Sequence, residues 1–226
     1  MPWRKFILST SEPRSRQSCP LCGATSAAPW QVAYGRPYQR CGQCHLTFLE
    51  PSHLPSRAAE KAEYDLHEND PADPGYRRFL AKLLDRMLPL IEPGSQGLDF
   101  GCGPGPAIAT ILREQGHHMV NYDPVYVPDR DCLSRQYDFV TCTEAVEHFH
   151  VPARDFAILQ RLLKPGALLG LMTQPLTGDT DFPNWWYARE ISHVSFYAPE
   201  TFEWLASWLG WKLVMAEQSV WIFRKL

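Results

Sequence analysis

The chain has 226 residues, of which 45% are apolar and 21% charged, with a formal net charge of -3. That length suits one main domain with a small appendage, and the apolar share is enough for a full core. A negative net charge argues against a dedicated nucleic-acid binder, no apolar run is long enough to span a bilayer, and the N-terminus is too short and too charged for a signal peptide.

Seven cysteines without a secretion signal point to a reducing, cytoplasmic compartment and to metal binding rather than disulfides. Residues 1–18 carry Arg4, Lys5, Arg14 and Arg16 against one acid, Glu12, and read as a flexible basic leader. Cys19 and Cys22 then form one C-x2-C pair, and Cys41 and Cys44 a second, eighteen residues on. Two-residue spacing lets both thiolates of a pair converge on one ion, and two pairs close a tetrahedron. This is zinc-ribbon spacing, and four thiolates leave no open position, so the zinc is expected to be structural. Trp30, Val32, Tyr34 and Tyr38 between the pairs fit a small hairpin whose core would depend on the metal.

A proline-marked linker over 51–55 separates this ribbon (19–50) from the main domain (51–226). Helices are expected over 56–67 and, with Phe79, Leu80, Leu83, Leu84, Met87 and Leu88 on its apolar side, over 77–90. Residues 96–105 then read as an apolar strand ending in Asp99 and a glycine-rich turn, Gly101-Cys102-Gly103-Pro104-Gly105, before a helix over 106–115. Such a turn offers backbone N–H groups at a helix start and lets a ligand lie against the chain. The dinucleotide fingerprint has glycines at relative positions 1, 3 and 6; here they fall at 1, 3 and 5. Asp99 would repel a pyrophosphate but accept from an ammonium group, so the turn suits an amino-acid-like ligand.

Residues 99–105 resemble the first motif of class I S-adenosylmethionine-dependent methyltransferases. The resemblance implies an α/β, Rossmann-like sheet and S-adenosylmethionine as cofactor, with Asp99, Gly101, Cys102, Gly103 and Gly105 holding its methionine part. It also implies that the preceding helices cover the cofactor, with Tyr64, His67 and Tyr76 as lining candidates. Residues 118–122 make the second strand, and Asp123, eighteen residues after Gly105, is placed to accept the ribose hydroxyls. Only thirteen residues separate Asp123 from the next strand, over 137–142. That is too short for a full crossover, so the sheet is expected to be truncated near its third strand, with residues 125–127 as an extended remnant.

Thr143, counted with the cofactor contacts, opens Thr143-Glu144-Ala145-Val146-Glu147-His148. If this segment is helical, Glu144, Glu147 and His148 share a face. That face allows general-base removal of an acceptor proton by Glu147 or His148, with His193 as a further base, or a second, divalent metal that acidifies the acceptor; a solvated helix start is the third reading. The segment resembles the E-x-x-E-H of ubiquinone-pathway O-methyltransferases and of small-RNA 2′-O-methyltransferases, and in the latter it implies a metal shared with a distant histidine, here His193. A helix over 152–163 leads through Lys164-Pro165-Gly166 into strand five, a run common in class I methyltransferases. Residues 175–198, rich in aromatics, read either as a packed loop or as an acceptor lid that presents His193. A helix over 199–209 and a closing hairpin finish the chain.

The combined expectation is methyl transfer to a small-molecule acceptor such as a sugar, a quinol-like ring or a natural-product intermediate. RNA as acceptor, clamped by the ribbon, is one alternative, and a fold that binds cofactor without catalysis is another. No membrane partner is expected, and the sequence leaves the oligomeric state open.

Overall fold

The computed structural model describes residues 17–66 and 69–226, so most of the basic leader and His67 lie outside the described residues. Among the described residues, ten strands build two sheets. The larger has the order β5-β4-β6-β7-β10-β9. Strands β4 (Gln96–Phe100), β5 (His118–Tyr122), β6 (Tyr137–Thr143) and β7 (Leu163–Met172) run parallel, while β10 (Val220–Lys225) and β9 (Trp211–Glu217) close it as an antiparallel hairpin. The truncated edge is as expected. Between Asp123 and Tyr137 the chain makes one isolated bridge, Asp123 to Val127, and a short 3-10 turn, Asp131–Ser134, but no further strand. Strand β5 is therefore the sheet's outer edge.

Both faces of this sheet are covered, as a parallel sheet requires. On one face α2 (Pro74–Met87) and α3 (Ala107–Glu114) bury Leu80, Leu83, Leu84 and Met87 with Ile108 and Leu112 against Phe139, Leu168 and Ile222. Asp73 caps α2 by accepting from Tyr76 N, and Pro74 occupies the first helical position, so the helix begins three residues earlier than hydrophobic spacing alone indicates. On the other face lie α4 (Pro152–Leu162) and α5 (Pro199–Leu209), with Phe156, Leu159, Phe202 and Leu205 buried. A short helix, α1 (Arg57–Tyr64), precedes α2 and buries none of its residues. No helix among the described residues is long and apolar enough to cross a membrane.

The smaller sheet has the order β1-β2-β3-β8, all antiparallel. Strands β1 (Ala27–Ala33) and β2 (Arg36–Cys41) form the expected hairpin, and β3 (Thr47–Leu49) extends it. The fourth strand, β8 (Ser195–Phe196), comes from the far end of the chain, pairing Phe196 with Thr47 and Ser195 with Phe48. The ribbon sheet is thus completed by the segment that follows His193. An aromatic core of Tyr38, Phe182, Tyr187 and Phe196 seals the join.

Candidate functional site

Strand β4 delivers Asp99 to the carboxyl end of the sheet, where open α/β folds hold ligands. Gly101 and Gly103 take φ of 77° and 63°, which the tight turn requires. The turn is also a close fit: a Cβ on Gly101 would meet Ala145 Cβ at 2.8 Å, and one on Gly105 would meet Asn69 O at 1.9 Å. The glycine turn therefore abuts the segment after β6 on one side and the chain after α1 on the other. Cys102 is buried and its thiol is pushed up to about 12 by that burial, so it offers the site backbone rather than a thiolate.

Asp99 is fully buried, and its Oδ1 accepts from Thr141 Oγ1 at 2.8 Å. Burial, and then the charge of Asp123, push its carboxyl up to about 7. A buried acid so held is a ready partner for a cation. Asp123 uses Oδ2 to accept from Gly103 N at 3.1 Å and Oδ1 to accept from Val125 N and Tyr126 N. One carboxylate thus ties the glycine turn to the short loop that replaces the third strand. Three donors leave it further acceptor capacity. Thr143 is the last residue of β6, paired with Met172.

The segment after Thr143 is not the α-helix that would put Glu144, Glu147 and His148 on one face. Glu144 takes a left-handed φ of 47°, its N–H donates to Met172 O, and only a 3-10 turn follows, Val146–His148. A non-glycine residue in that region is strained and breaks helical continuation, and such residues concentrate at functional sites. The side chains are gathered by tertiary contacts instead. One ligand atom each from Glu147, His148 and His193 lies within 4.8 Å of the others.

Tyr187 is the hub of this cluster. Its hydroxyl donates to Glu147 Oε1 at 2.5 Å and lies 3.1 Å from Thr173 Oγ1 and 3.3 Å from Glu144 Oε2. Its carbonyl accepts from His193 Nδ1 at 2.7 Å. His148 Nδ1 donates likewise to Ser192 O at 3.1 Å. A carbonyl can only accept, so each Nδ1 carries hydrogen and each neutral ring keeps its lone pair on Nε2. His193 Nε2 in turn faces Glu190 Oε2 at 3.2 Å, and two lone pairs that close require a proton or a cation between them. Burial pushes both Glu144 and Glu147 well above the usual carboxylate range, and Glu144 is raised further by Glu147's charge. Among the described residues, Glu147 Oε2 and Glu144 Oε1 are buried without a partner.

Two tyrosines bridge the halves. Tyr64 of α1 meets the His148 ring edge-on at 5.1 Å and lies in the field of both Asp123 and Glu147. Tyr76 of α2 lies in the field of Asp99 and Glu144. Helix α1 is fastened over this region by Glu60 to His150 at 2.6 Å and Asp65 to Tyr126 at 2.7 Å. A separate hollow of 460 Å³, lined by Gln96, Arg113, His118 and Tyr137, lies at the opposite, amino end of the strands.

Cys19, Cys22, Cys41 and Cys44 converge as their spacing predicts, with no disulfide between them. Cys19 Sγ to Cys44 Sγ and Cys22 Sγ to Cys41 Sγ are each 3.5 Å, and all four sulfurs lie within 4.8 Å of one another. A tetrahedron with Zn–S of about 2.3 Å has edges of about 3.8 Å, so the four fit one zinc ion.

Sequence reasoning missed Tyr187 as a site residue. It reads there only as part of an aromatic run, and nothing in that run separates it from Trp186, which is 63% exposed.

A family model described as a methyltransferase domain matches residues 42–216. A search of curated proteins finds no match. Several solved structures share the fold. The 1,6-didemethyltoxoflavin-N1-methyltransferase of Burkholderia thailandensis, with S-adenosylhomocysteine bound, is 15% identical, with a TM-score of 0.53 over 88% of this chain and 99% of that one. A putative sarcosine dimethylglycine methyltransferase from Galdieria sulphuraria is 14% identical, with a TM-score of 0.51 over 71% and 76%. The Haemonchus contortus phosphoethanolamine N-methyltransferase 2, in complex with phosphomonomethylethanolamine and S-adenosylhomocysteine, is 18% identical, with a TM-score of 0.50 over 68% and 41%.

Proposed function

Since this chain belongs to the methyltransferase-domain family and is an S-adenosylmethionine-dependent methyltransferase, we propose that it methylates a small-molecule acceptor held at the cluster of Glu147, His148 and His193, one of which takes the acceptor's proton. The observation that carries this reading is the convergence of those three side chains beside the glycine turn. The cofactor, when bound, supplies a methyl carbon already activated by its sulfonium. Asp99 and the backbone of Gly101, Cys102, Gly103 and Gly105 hold the amino-acid end, Asp123 the ribose, and Thr143 lines the side toward the acceptor. The Nδ1–H bonds to Tyr187 O and Ser192 O hold both imidazoles, leaving Nε2 of His148 to receive the proton while Nε2 of His193 is paired with Glu190 Oε2. Burial excludes water from Glu147 and keeps it basic. Acceptors with a sugar or quinol-like hydroxyl fit such proton removal.

The partnerless Glu147 Oε2 also favours a second reading, in which the same three groups ligate a divalent cation that acidifies the acceptor. A nitrogen donor on each histidine whose other nitrogen is held by a carbonyl is the usual arrangement of metal-ligating imidazoles.

Methyl-labelled S-adenosylmethionine incubated with a host-cell extract, then fractionated by size, tests the acceptor class. The reading predicts label in the small-molecule fraction. Label in nuclease-sensitive material would replace it with RNA methylation.

Asp99 gives a pH test. With its carboxyl at about 7, only the ionised form pairs with the cofactor ammonium, so affinity rises with pH through that range and then levels. Cofactor binding is expected to be roughly tenfold weaker at about pH 6 than at about pH 8. Calorimetric titration should show the slope, and Asp99→Asn should flatten it.

The four cysteines hold a structural zinc in this reading, a cross-link for a sheet too small to stand alone. Metal analysis should find one zinc per chain. Removing it with a chelator should lower Tm by ~10 °C or more, since at this size each kcal/mol of lost stability moves Tm by about 2–4 °C.

A further inference from the structure

The β1–β2 hairpin turns at Tyr34 and Gly35, both with left-handed φ (50° and 74°), as a two-residue hairpin requires. The turn aims the next residue, Arg36, at a segment about 150 residues away. Arg36 Nη1 donates to Ile191 O at 3.0 Å, and Nη2 donates to Glu190 O at 3.0 Å and to Ala188 O. Tyr34 adds a bond from its hydroxyl to Asn184 O at 3.1 Å.

The carbonyls that Arg36 gathers lie inside the stretch that orients the whole acceptor cluster. Tyr187, one residue before them, donates to Glu147 and holds His193. Ser192, one residue after, holds His148. Strand β3 braces the same stretch from behind: Leu49 N donates to Val194 O at 2.9 Å, and Val194 N donates to Glu147 O at 2.9 Å. The side-chain hydrogen bonds of Arg36 go to residues 188–191, whereas Asp99 stands on β4 of the other sheet and the glycine turn and Asp123 follow β4 and β5.

We propose that Arg36 is a positioning residue for methyl transfer, and that the ribbon serves to hold the acceptor half of the site through it. The proposal rests on the reading of Glu147, His148 and His193 as the acceptor-side groups. A planar guanidinium can serve several carbonyls at once in a fixed fork, and an ammonium cannot reproduce that geometry.

The test compares Arg36→Ala and Arg36→Lys with the wild-type, zinc-loaded full chain in three measurements. These are calorimetric affinity for S-adenosylhomocysteine, label transfer from S-adenosylmethionine into the small-molecule fraction of an extract, and amide hydrogen exchange over 186–196. Arg36→Ala is expected to keep its S-adenosylhomocysteine affinity, exchange faster at 188–194, and lose transfer on the order of 10²-fold, the cost of a small misplacement of reacting groups. Arg36→Lys, which keeps charge and stem, should fall between. Unchanged transfer in Arg36→Ala overturns the proposal, and so does a parallel loss of S-adenosylhomocysteine binding. Should Arg36→Ala not fold, wild-type transfer by Arg36→Lys overturns it equally. If the wild-type chain itself labels nothing small, the proposed function fails, and exchange alone then decides: faster exchange confined to 188–194 supports the fastening role of Arg36, and unchanged exchange ends it.

Discussion

Glu147→Gln is expected to lower methyl transfer by roughly 10²–10⁴-fold, the range of a positioned acid–base group, while leaving cofactor affinity unchanged. The substitution keeps shape and burial. Glutamine still presents an oxygen to the Tyr187 hydroxyl, so the bond that anchors the side chain survives. What is lost is the acceptor oxygen Oε2, buried without a partner among the described residues. That atom either takes a proton or ligates a cation, and an amide NH₂ does neither. Because Asp99, the glycine turn and Asp123 belong to β4, β5 and the turns that follow them, binding of S-adenosylhomocysteine should not move. A turnover assay paired with calorimetry checks both halves. Equal losses of binding and transfer would mean that Glu147 supports the cofactor instead. Adding Mn²⁺ separates base from metal: transfer by the stripped wild-type chain that depends on the ion favours the cation, and indifference favours the base.

Asp123→Ala is expected to weaken cofactor binding by about 30- to 1,000-fold, the equivalent of about 2–4 kcal/mol in lost hydrogen bonds to a charged group. The carboxylate accepts from Gly103, Val125 and Tyr126, so alanine removes both a ribose acceptor and the tie that shapes the glycine turn. Asp123→Asn keeps an oxygen for Val125 N and Tyr126 N but loses the charge together with the oxygen that accepts from Gly103 N. Binding that is intact in Asn and lost in Ala would assign Asp123 to the loop alone.

The strand, the acid and the glycine turn were legible in the sequence because their signals are local. Strand, acid and glycine turn lie within ten residues, and the short stretch after Asp123 cannot hold a strand and helices. The four cysteines were legible for the same reason, since C-x2-C spacing is itself the geometry of a metal knuckle. The cluster of Glu147, His148 and His193 was legible only in its residue types. Glu147 and His148 do meet His193, but from a 3-10 turn and not from the helical face that Glu144, Glu147 and His148 would share. Glu144 enters the left-handed region, and sequence pattern carries no signal for a strained backbone. The pairing of β8 with β3 spans nearly 150 residues and is set by register, which a two-residue strand does not announce. The bonds that Tyr187 O makes to His193 and that Arg36 makes to residues 188–191 were invisible for a related reason: they run to backbone carbonyls, which have no letter in the sequence.

A crystal structure with S-adenosylhomocysteine tests most directly that the two halves form one site. The account predicts the ligand's amino group at Asp99, its ribose on Asp123, and its sulfur facing the pocket of Glu147, His148 and His193. A sulfur turned away from those three, or a ligand bound at the amino end of the strands, would contradict it.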